Sequence, residues 1–445
     1  MQSPTLTPPP AIPRDVFAGR RKRFQSTMAA DGVALIFSAP VRIKSNDVHY
    51  RFRQDSDFYY LTGFGEEECV LVLTADHSRL YLRERDRSRE TWDGPRLGVE
   101  DAPATLGVDE ARSIGAFEKD LGELLKNKST LYYRFGGQDA TTRDARVLGK
   151  ANEVMQRARS GDYGPGTVVN PALILHELRL IKDGHDLEIL RECARLTANG
   201  HRALYRDTRP GMFEYELEAL LQYEFRKGDG GEAYPSIVAS GPNACILHHI
   251  ENNRQMQAGD LVLVDAGADK YHMNADVTRT FPVSETYTPE QRDVYEAVLN
   301  AQERAIRGTV AGVSMGEIHD RTVRDLVQSL IDLKVLTGSV DQQIEEKAYQ
   351  HFYMHKTGHY LGMDVHDVGS YYDHRAKEPR KLEDGMVCTV EPGLYFAPDN
   401  EHTPERFAGI GVRIEDDVMV QGDTPLVLTA DIPKSVADVE AARRK

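Results

Sequence analysis

At 445 residues, the chain is long enough for two large domains or about three of ordinary size. Its 40% hydrophobic and 28% charged residues exclude fibrous, collagen-like and wholly disordered classes. No run approaches the ~20 apolar residues of a membrane helix, and a net charge of −15 repels phosphate backbones, so neither a membrane nor nucleic acid is an expected partner.

The first ten to twelve residues are rich in proline and lack a basic segment leading into an apolar core, so they read as a disordered tail rather than a signal peptide. Cys69, Cys193, Cys245 and Cys388 are scattered, as expected for free thiols in a reducing compartment, the cytoplasm. Arg20-Arg21-Lys22-Arg23 reads as the solvated face of a helix. Val33–Phe37 and Val70–Leu73 are strand-like, and the region to about residue 160 reads as a mixed α/β domain. Turn formers from Ser160 to Gly166 mark a soft boundary, and the domains are taken as 12–174 and 175–445.

Beyond residue 175, longer helices alternate with strands. Leu187, Leu190, Ala194 and Ala198 recur at helical spacing. Capping boxes at Thr288–Gln291 and Ser314–Glu317 open two more helices. Strands are expected over 261–265, 276–281, 386–391 and 411–420, with a hairpin over 266–271. Each of the four runs carries a carboxylate in an apolar context: Asp265, Asp276, Glu391 and Glu415. One such acid is ordinarily a turn former or a helix cap. Four together need a counter-charge, which two divalent cations supply, with room for a hydroxide between them. Strand periodicity sets Arg413 on the face of Glu415. The segment 355–366 offers three imidazoles, His355, His359 and His366. The first two have the spacing of a helical zinc pair, but Lys356 stands where a zincin has glutamate, and Gly358 and Gly362 disfavour a helix. One histidine suffices as a ligand, leaving the others for proton chemistry.

The ordered set Asp265, Asp276, His359, Glu391, Glu415 resembles the dinuclear metallopeptidases of the pita-bread fold, over roughly residues 175 to 430. That family includes methionine aminopeptidase, prolidase and aminopeptidase P. The strings Arg53–Phe64 and Arg87–Gly94, the latter with the single Trp92, look like the N-terminal domain of bacterial aminopeptidase P, which methionine aminopeptidases usually lack. The resemblance implies an α/β (α+β) protein: a small mixed N-terminal α/β domain followed by a pita-bread (creatinase/aminopeptidase-like) catalytic domain.

It also implies two divalent metal ions, Mn2+ before Co2+, Mg2+ or Zn2+, an order that suits an oxygen-rich, thiolate-free donor set. Asp276 and Glu415 would bridge the ions, Asp265 would chelate one, and His359 and Glu391 would complete the other. Glu391 would accept the proton of the attacking water, with His248 and His366 hydrogen-bonded to the reacting carbonyl; His249 is the positional rival of His248. Arg413 would orient a carboxylate ligand of the ions and count with the substrate-binding residues, of which His355 and Tyr234 would shape a pocket for a proline ring. The implied activity is release of the N-terminal residue from peptides with proline second, in a homodimer or homotetramer where a neighbour's N-terminal domain, with Trp92, walls the site. The X-Pro bond has no N–H, which gives a dedicated enzyme its purpose. The alternatives are a prolidase restricted to dipeptides, whose carboxylate Arg375 or Arg380 would read, a non-catalytic pita-bread binding protein, and a creatinase-like hydrolase without metals.

Overall fold

The computed structural model describes residues 12–136 and 140–444; the proline-rich start of the chain, expected to be disordered, lies outside them. The chain forms two compact units, 1–179 and 180–445.

In the first unit, six strands form one mixed sheet in the order Glu110–Ser113, Ser78–Leu82, Val70–Leu73, Gly32–Phe37, Thr130–Tyr132, Thr167–Val169. The central Gly32–Phe37 and Val70–Leu73 strands pair antiparallel and are buried almost throughout, which is why they read as continuous apolar runs. Phe117, Leu121 and Leu125 of one helix and Val147, Ala151 and Val154 of another pack with Val33, Leu35, Val70 and Val72 of the sheet. The turn-rich 160–166 stretch lies inside this unit, because the strand after it pairs in parallel with Thr130–Tyr132.

The basic run departs from expectation. Lys22 and Arg23 are exposed, but Arg20 and Arg21 are buried within the Arg14–Thr27 helix. Arg21 donates to Leu61 O at 2.8 Å, to Leu106 O at 3.2 Å and to Gly107 O. These carbonyls lie at the C-terminal ends of the Ser56–Thr62 and Gly98–Leu106 helices, where the backbone has lost its own donors and carries partial negative charge. Arg20 stacks its guanidinium on the Tyr60 ring at 4.4 Å. Two helix ends from elsewhere in the sequence thus draw the Arg21 charge inward, and an aromatic ring covers Arg20.

Asp57, buried in the aromatic Ser56–Thr62 helix, pairs with Arg179 at 2.7 Å and lies 3.6 Å from His176. Burial alone would raise its pKa; the His176 hydrogen bond and the Arg179 charge outweigh it and hold the carboxyl at about 2, below its ordinary 3.8. A depressed carboxylate stabilises the fold above its unfolded pKa and loses that contribution as pH falls through the folded value, an effect of about 2 kcal/mol here. Acid unfolding followed from about pH 4 to 2 should therefore be shallower for Asp57→Asn than for wild type; equal slopes would remove Asp57 as the cause.

The second unit repeats one order of elements: two helices, then antiparallel strands. The Gly184–Asp207 and Glu214–Lys227 helices precede the sheet of Ile237–Ser240, Leu261–Asp265 and Thr278–Pro282. The Pro289–Arg307 and Met315–Asp332 helices, opened by the two capping boxes, precede the strands Val387–Val390, Gly393–Phe396, Ile410–Arg413 and Asp416–Met419. This is the pita-bread arrangement. Val262 and Val264 join the large core with Leu204, Leu221, Val294 and Leu326 of the helices, while Leu263, between them, packs with Tyr395 in a separate cluster. Period-2 alternation puts Asp265 on the Leu263 side, away from the helices.

Candidate active site

Asp265 ends the central strand of its sheet, opposite Thr278. The chain then passes Gly267, where a Cβ would sit 1.6 Å from Ala275 O, so only glycine permits the crossing. It turns through Tyr271 and His272, both at positive φ (50° and 65°), the signature of a two-residue hairpin turn. It returns to Asp276 beside Asp265. The Tyr234 hydroxyl lies 2.5 Å from Asp265 Oδ1 and also contacts Asp276 Oδ1.

The other three residues arrive from far along the chain. The histidine segment is not a helix, in accord with the glycines. At Gly358 a Cβ would meet Thr389 O at 1.9 Å, so the segment lies directly against the Val387–Val390 strand. His359 and Thr389 exchange hydrogen bonds there, and Glu391 N donates to Thr357 O at 2.8 Å. The single strand expected over 411–420 is two. Ile410–Arg413 pairs with Gly393–Phe396, then the chain crosses to pair Asp416–Met419 with Val387–Val390, and Glu415 sits at the crossing.

These residues meet. Asp276, His359 and Glu415 each present a ligand atom within 4.8 Å of the others. His359 Nε2 lies 3.4 Å from Asp276 Oδ2 and 3.6 Å from Glu391 Oε1. His359 Nδ1 lies 3.0 Å from Tyr360 O and donates to it, which leaves Nε2 to face the carboxylates. Burial and then mutual repulsion push Glu415 well above the ordinary carboxylate range. Burial raises Glu391 to about 7, and burial raises Asp265 against the pull of Arg413. Asp276 is drawn down despite burial, and His359 is held up at about 9 despite burial, because the two hydrogen-bond each other. Three buried acids and the half-buried Glu391, facing one guanidinium and one imidazole, make a donor set that fits divalent cations with oxygen preference.

Arg413, expected to orient a carboxylate ligand, grips Asp265. It donates to Asp265 Oδ2 at 2.6 Å, Thr278 Oγ1 at 3.0 Å and Tyr395 Oη at 3.1 Å, and Thr278 in turn donates to Glu415 Oε2 at 2.6 Å. The Tyr234 hydroxyl is committed to the two aspartates. His355 is close by: Nδ1 is 2.8 Å from Lys356 O and 3.7 Å from Glu391 Oε2, and Nε2 is 2.8 Å from Tyr395 Oη. Burial lowers its pKa to about 3, so the ring is neutral, donates from Nδ1 and accepts the tyrosine proton at Nε2.

His366 packs its ring edge-on against His359 with centroids 4.4 Å apart. Of the two rival histidines, His248 is exposed. His249 is buried and bonded to Glu214. Sequence reasoning missed Tyr395, Thr278 and Asp417, whose carboxylate accepts Asp276 N at 3.2 Å. A signal for the last was present, because Glu415-Asp416-Asp417 puts three consecutive acids in an apolar run.

A pita-bread unit that gathers buried carboxylates around an imidazole defines the class as metallopeptidase. The model of metallopeptidase family M24 matches residues 188–422, and that of the aminopeptidase P N-terminal domain matches residues 17–132. The chain belongs to metallopeptidase family M24. It is 43% identical to the Xaa-Pro aminopeptidase of Haemophilus influenzae, over 96% of this chain and 97% of that one. It is similar to the solved structure of Pseudomonas aeruginosa aminopeptidase PepP (TM-score 0.94, 43% identity, 97% and 98% coverage). It is also similar to zinc-substituted Escherichia coli aminopeptidase P in complex with product (TM-score 0.92, 40% identity, 98% and 99% coverage).

Proposed function

We propose that the chain is a metal-dependent exopeptidase that releases the N-terminal residue from peptides with proline in second place, with 12–174 as N-terminal domain and 175–445 as catalytic domain. The observation that carries this reading is the meeting of Asp265, Asp276, His359, Glu391 and Glu415 in a chain similar to Xaa-Pro aminopeptidases along nearly its whole length. Two divalent cations held by these five, Mn2+ in our reading, supply the charge that makes water nucleophilic near neutral pH and polarises the scissile carbonyl.

The chain's own groups do the rest. Arg413 fixes Asp265 through Oδ2, and Thr278 fixes Glu415 through Oε2, so both ligands are oriented before any ion arrives. Glu391 takes a proton at a carboxylate oxygen and passes it to the leaving nitrogen. His248 and His366 hydrogen-bond the carbonyl oxygen as it becomes tetrahedral, where one donor is worth about 10²- to 10³-fold in turnover. His355, kept neutral and fixed by Tyr395, contacts the substrate beside Glu391. Trp92, 86% exposed on the short Glu90–Asp93 helix, is the surface we assign to a second copy, in a dimer or tetramer. The four free cysteines support a cytoplasmic location.

The test is cleavage of Arg-Pro-Pro against Gly-Pro with Mn2+ present. Release of arginine from the tripeptide is expected; hydrolysis of the dipeptide alone would make the protein a prolidase. Chelation should abolish turnover and added Mn2+ restore it, because the activating charge resides on exchangeable ions. Full turnover in metal-stripped protein would overturn the reading.

A further inference from the structure

We propose that Glu214 is a positioning residue for His248: its carboxylate gathers both arms of segment 240–254 and so fixes where that histidine is presented. The inference rests on the role given to His248 above.

Glu214 is fully buried in the first turn of the Glu214–Lys227 helix. Its two oxygens accept from Ser240 N and Ser240 Oγ at 2.7 Å each, Asn243 Nδ2 at 3.1 Å, His249 Nε2 at 3.0 Å and Arg254 N at 3.0 Å. One helical turn on, Glu218 accepts from Asn252 Nδ2 at 3.0 Å, and Asn252 also takes Val238 N at 3.0 Å and gives to Ser236 O at 2.8 Å. Arg254 closes the base through Asp260 at 2.6 Å and Ser240 Oγ at 2.7 Å. Two acids on one helix face thereby hold the ingoing and outgoing arms of the loop. At its tip, Ile246, His248 and Ile250 are exposed, Leu247 packs against the core, and His249 is turned in onto Glu214. Anchoring one of two adjacent side chains sets the backbone of the other.

The chemistry at this position needs a carboxylate. Two oxygens offer about four lone-pair sites, and five donors from three parts of the loop converge on them. Glutamine has one acceptor oxygen, and its NH2 group would face donors that remain buried. A carboxylate serving stability alone would shift the unfolding midpoint, but its loss would then add to the loss of His248.

The test compares wild type, E214Q, H248A and the double variant as Mn2+-loaded full-length protein with Arg-Pro-Pro. E214Q is expected to lower kcat about 10- to 100-fold with KM changed less than about threefold, since the reacting carbonyl loses an aligned donor while the substrate is still bound. In the H248A background, E214Q should cost less than about a further twofold, because both changes remove one interaction. Independent, multiplying losses would overturn the proposal. Should E214Q not fold, N243A, which leaves the carboxylate in place, carries the same cycle. Amide exchange over 240–254 in metal-free E214Q or N243A should quicken relative to wild type; unchanged exchange would also overturn it. Failure of wild type to cut Arg-Pro-Pro would count against the proposed activity alone, with the exchange comparison still deciding whether Glu214 holds the segment.

Discussion

Asp276→Ala should lose at least about 10³-fold in kcat/KM for Arg-Pro-Pro, about 4 kcal/mol of transition-state stabilisation, while remaining folded. Asp276 is the hub of the cluster. It contacts Tyr234 and His359, and its charge acts on Glu415, Glu391 and Asp265. Removing it takes away a donor that no neighbour can replace, since Asp417 behind it points its carboxylate at the Asp276 backbone. The fold should tolerate the change, because the lost carboxylate is one of four whose mutual repulsion, together with burial, pushes Glu415 and Glu391 up. The measurement is turnover together with bound-metal stoichiometry and the thermal midpoint of the metal-free protein. Turnover within tenfold of wild type in a verified variant would show that the cluster is not the reaction centre.

Arg279→Ala should be the more damaging change to stability, at about 3–5 kcal/mol. Its guanidinium is wholly buried beside Asp416, also wholly buried, at 2.7 Å. It donates further to Ile432 O at 3.1 Å, Pro433 O at 3.2 Å, Thr278 O at 3.0 Å and Glu415 O at 2.5 Å. Truncation takes from Asp416 one of its two cations, leaving it Lys434, Gln302 and Thr429, and leaves several buried carbonyls without donors. The bond to Glu415 O also fixes the backbone of a ligand candidate, so metal affinity should fall with stability. Urea unfolding of the catalytic unit and metal titration check both. A loss below about 1 kcal/mol would mean the pair adds little beyond what Lys434 supplies.

Much of this site was legible in the sequence because a carboxylate ending an apolar strand is costly unless something compensates it, and four such acids stand out from their surroundings. The hairpin between Asp265 and Asp276, the two capping boxes and the non-helical histidine segment are local features, set by residues a few positions apart. What was not legible depends on distant partners. Arg20 and Arg21 look like surface charges until the Tyr60 ring is brought to the first and the helix ends at Leu61 and Leu106 to the second. The break before Glu415 is invisible in an unbroken β-like run, because it arises from pairing with two different strands. Arg413 and Tyr234 lie against the cluster, and the groups they grip follow from the strand crossing and from the hairpin. His248 and His249 are alike in sequence and differ only in which of them Glu214 can reach.

The tight turn at Tyr271-His272 has a kinetic consequence. A hairpin of this size closes on the microsecond scale, so Asp265 and Asp276 meet early in folding. His359, Glu391 and Glu415 reach them only after roughly eighty to one hundred and forty further residues have found their places. The early pair is two like charges with few other ligands, a poor trap for a cation. Divalent ions should therefore leave the folding rate nearly unchanged and act by slowing the opening of the finished molecule, so that the assembled cluster works as a latch fastened last.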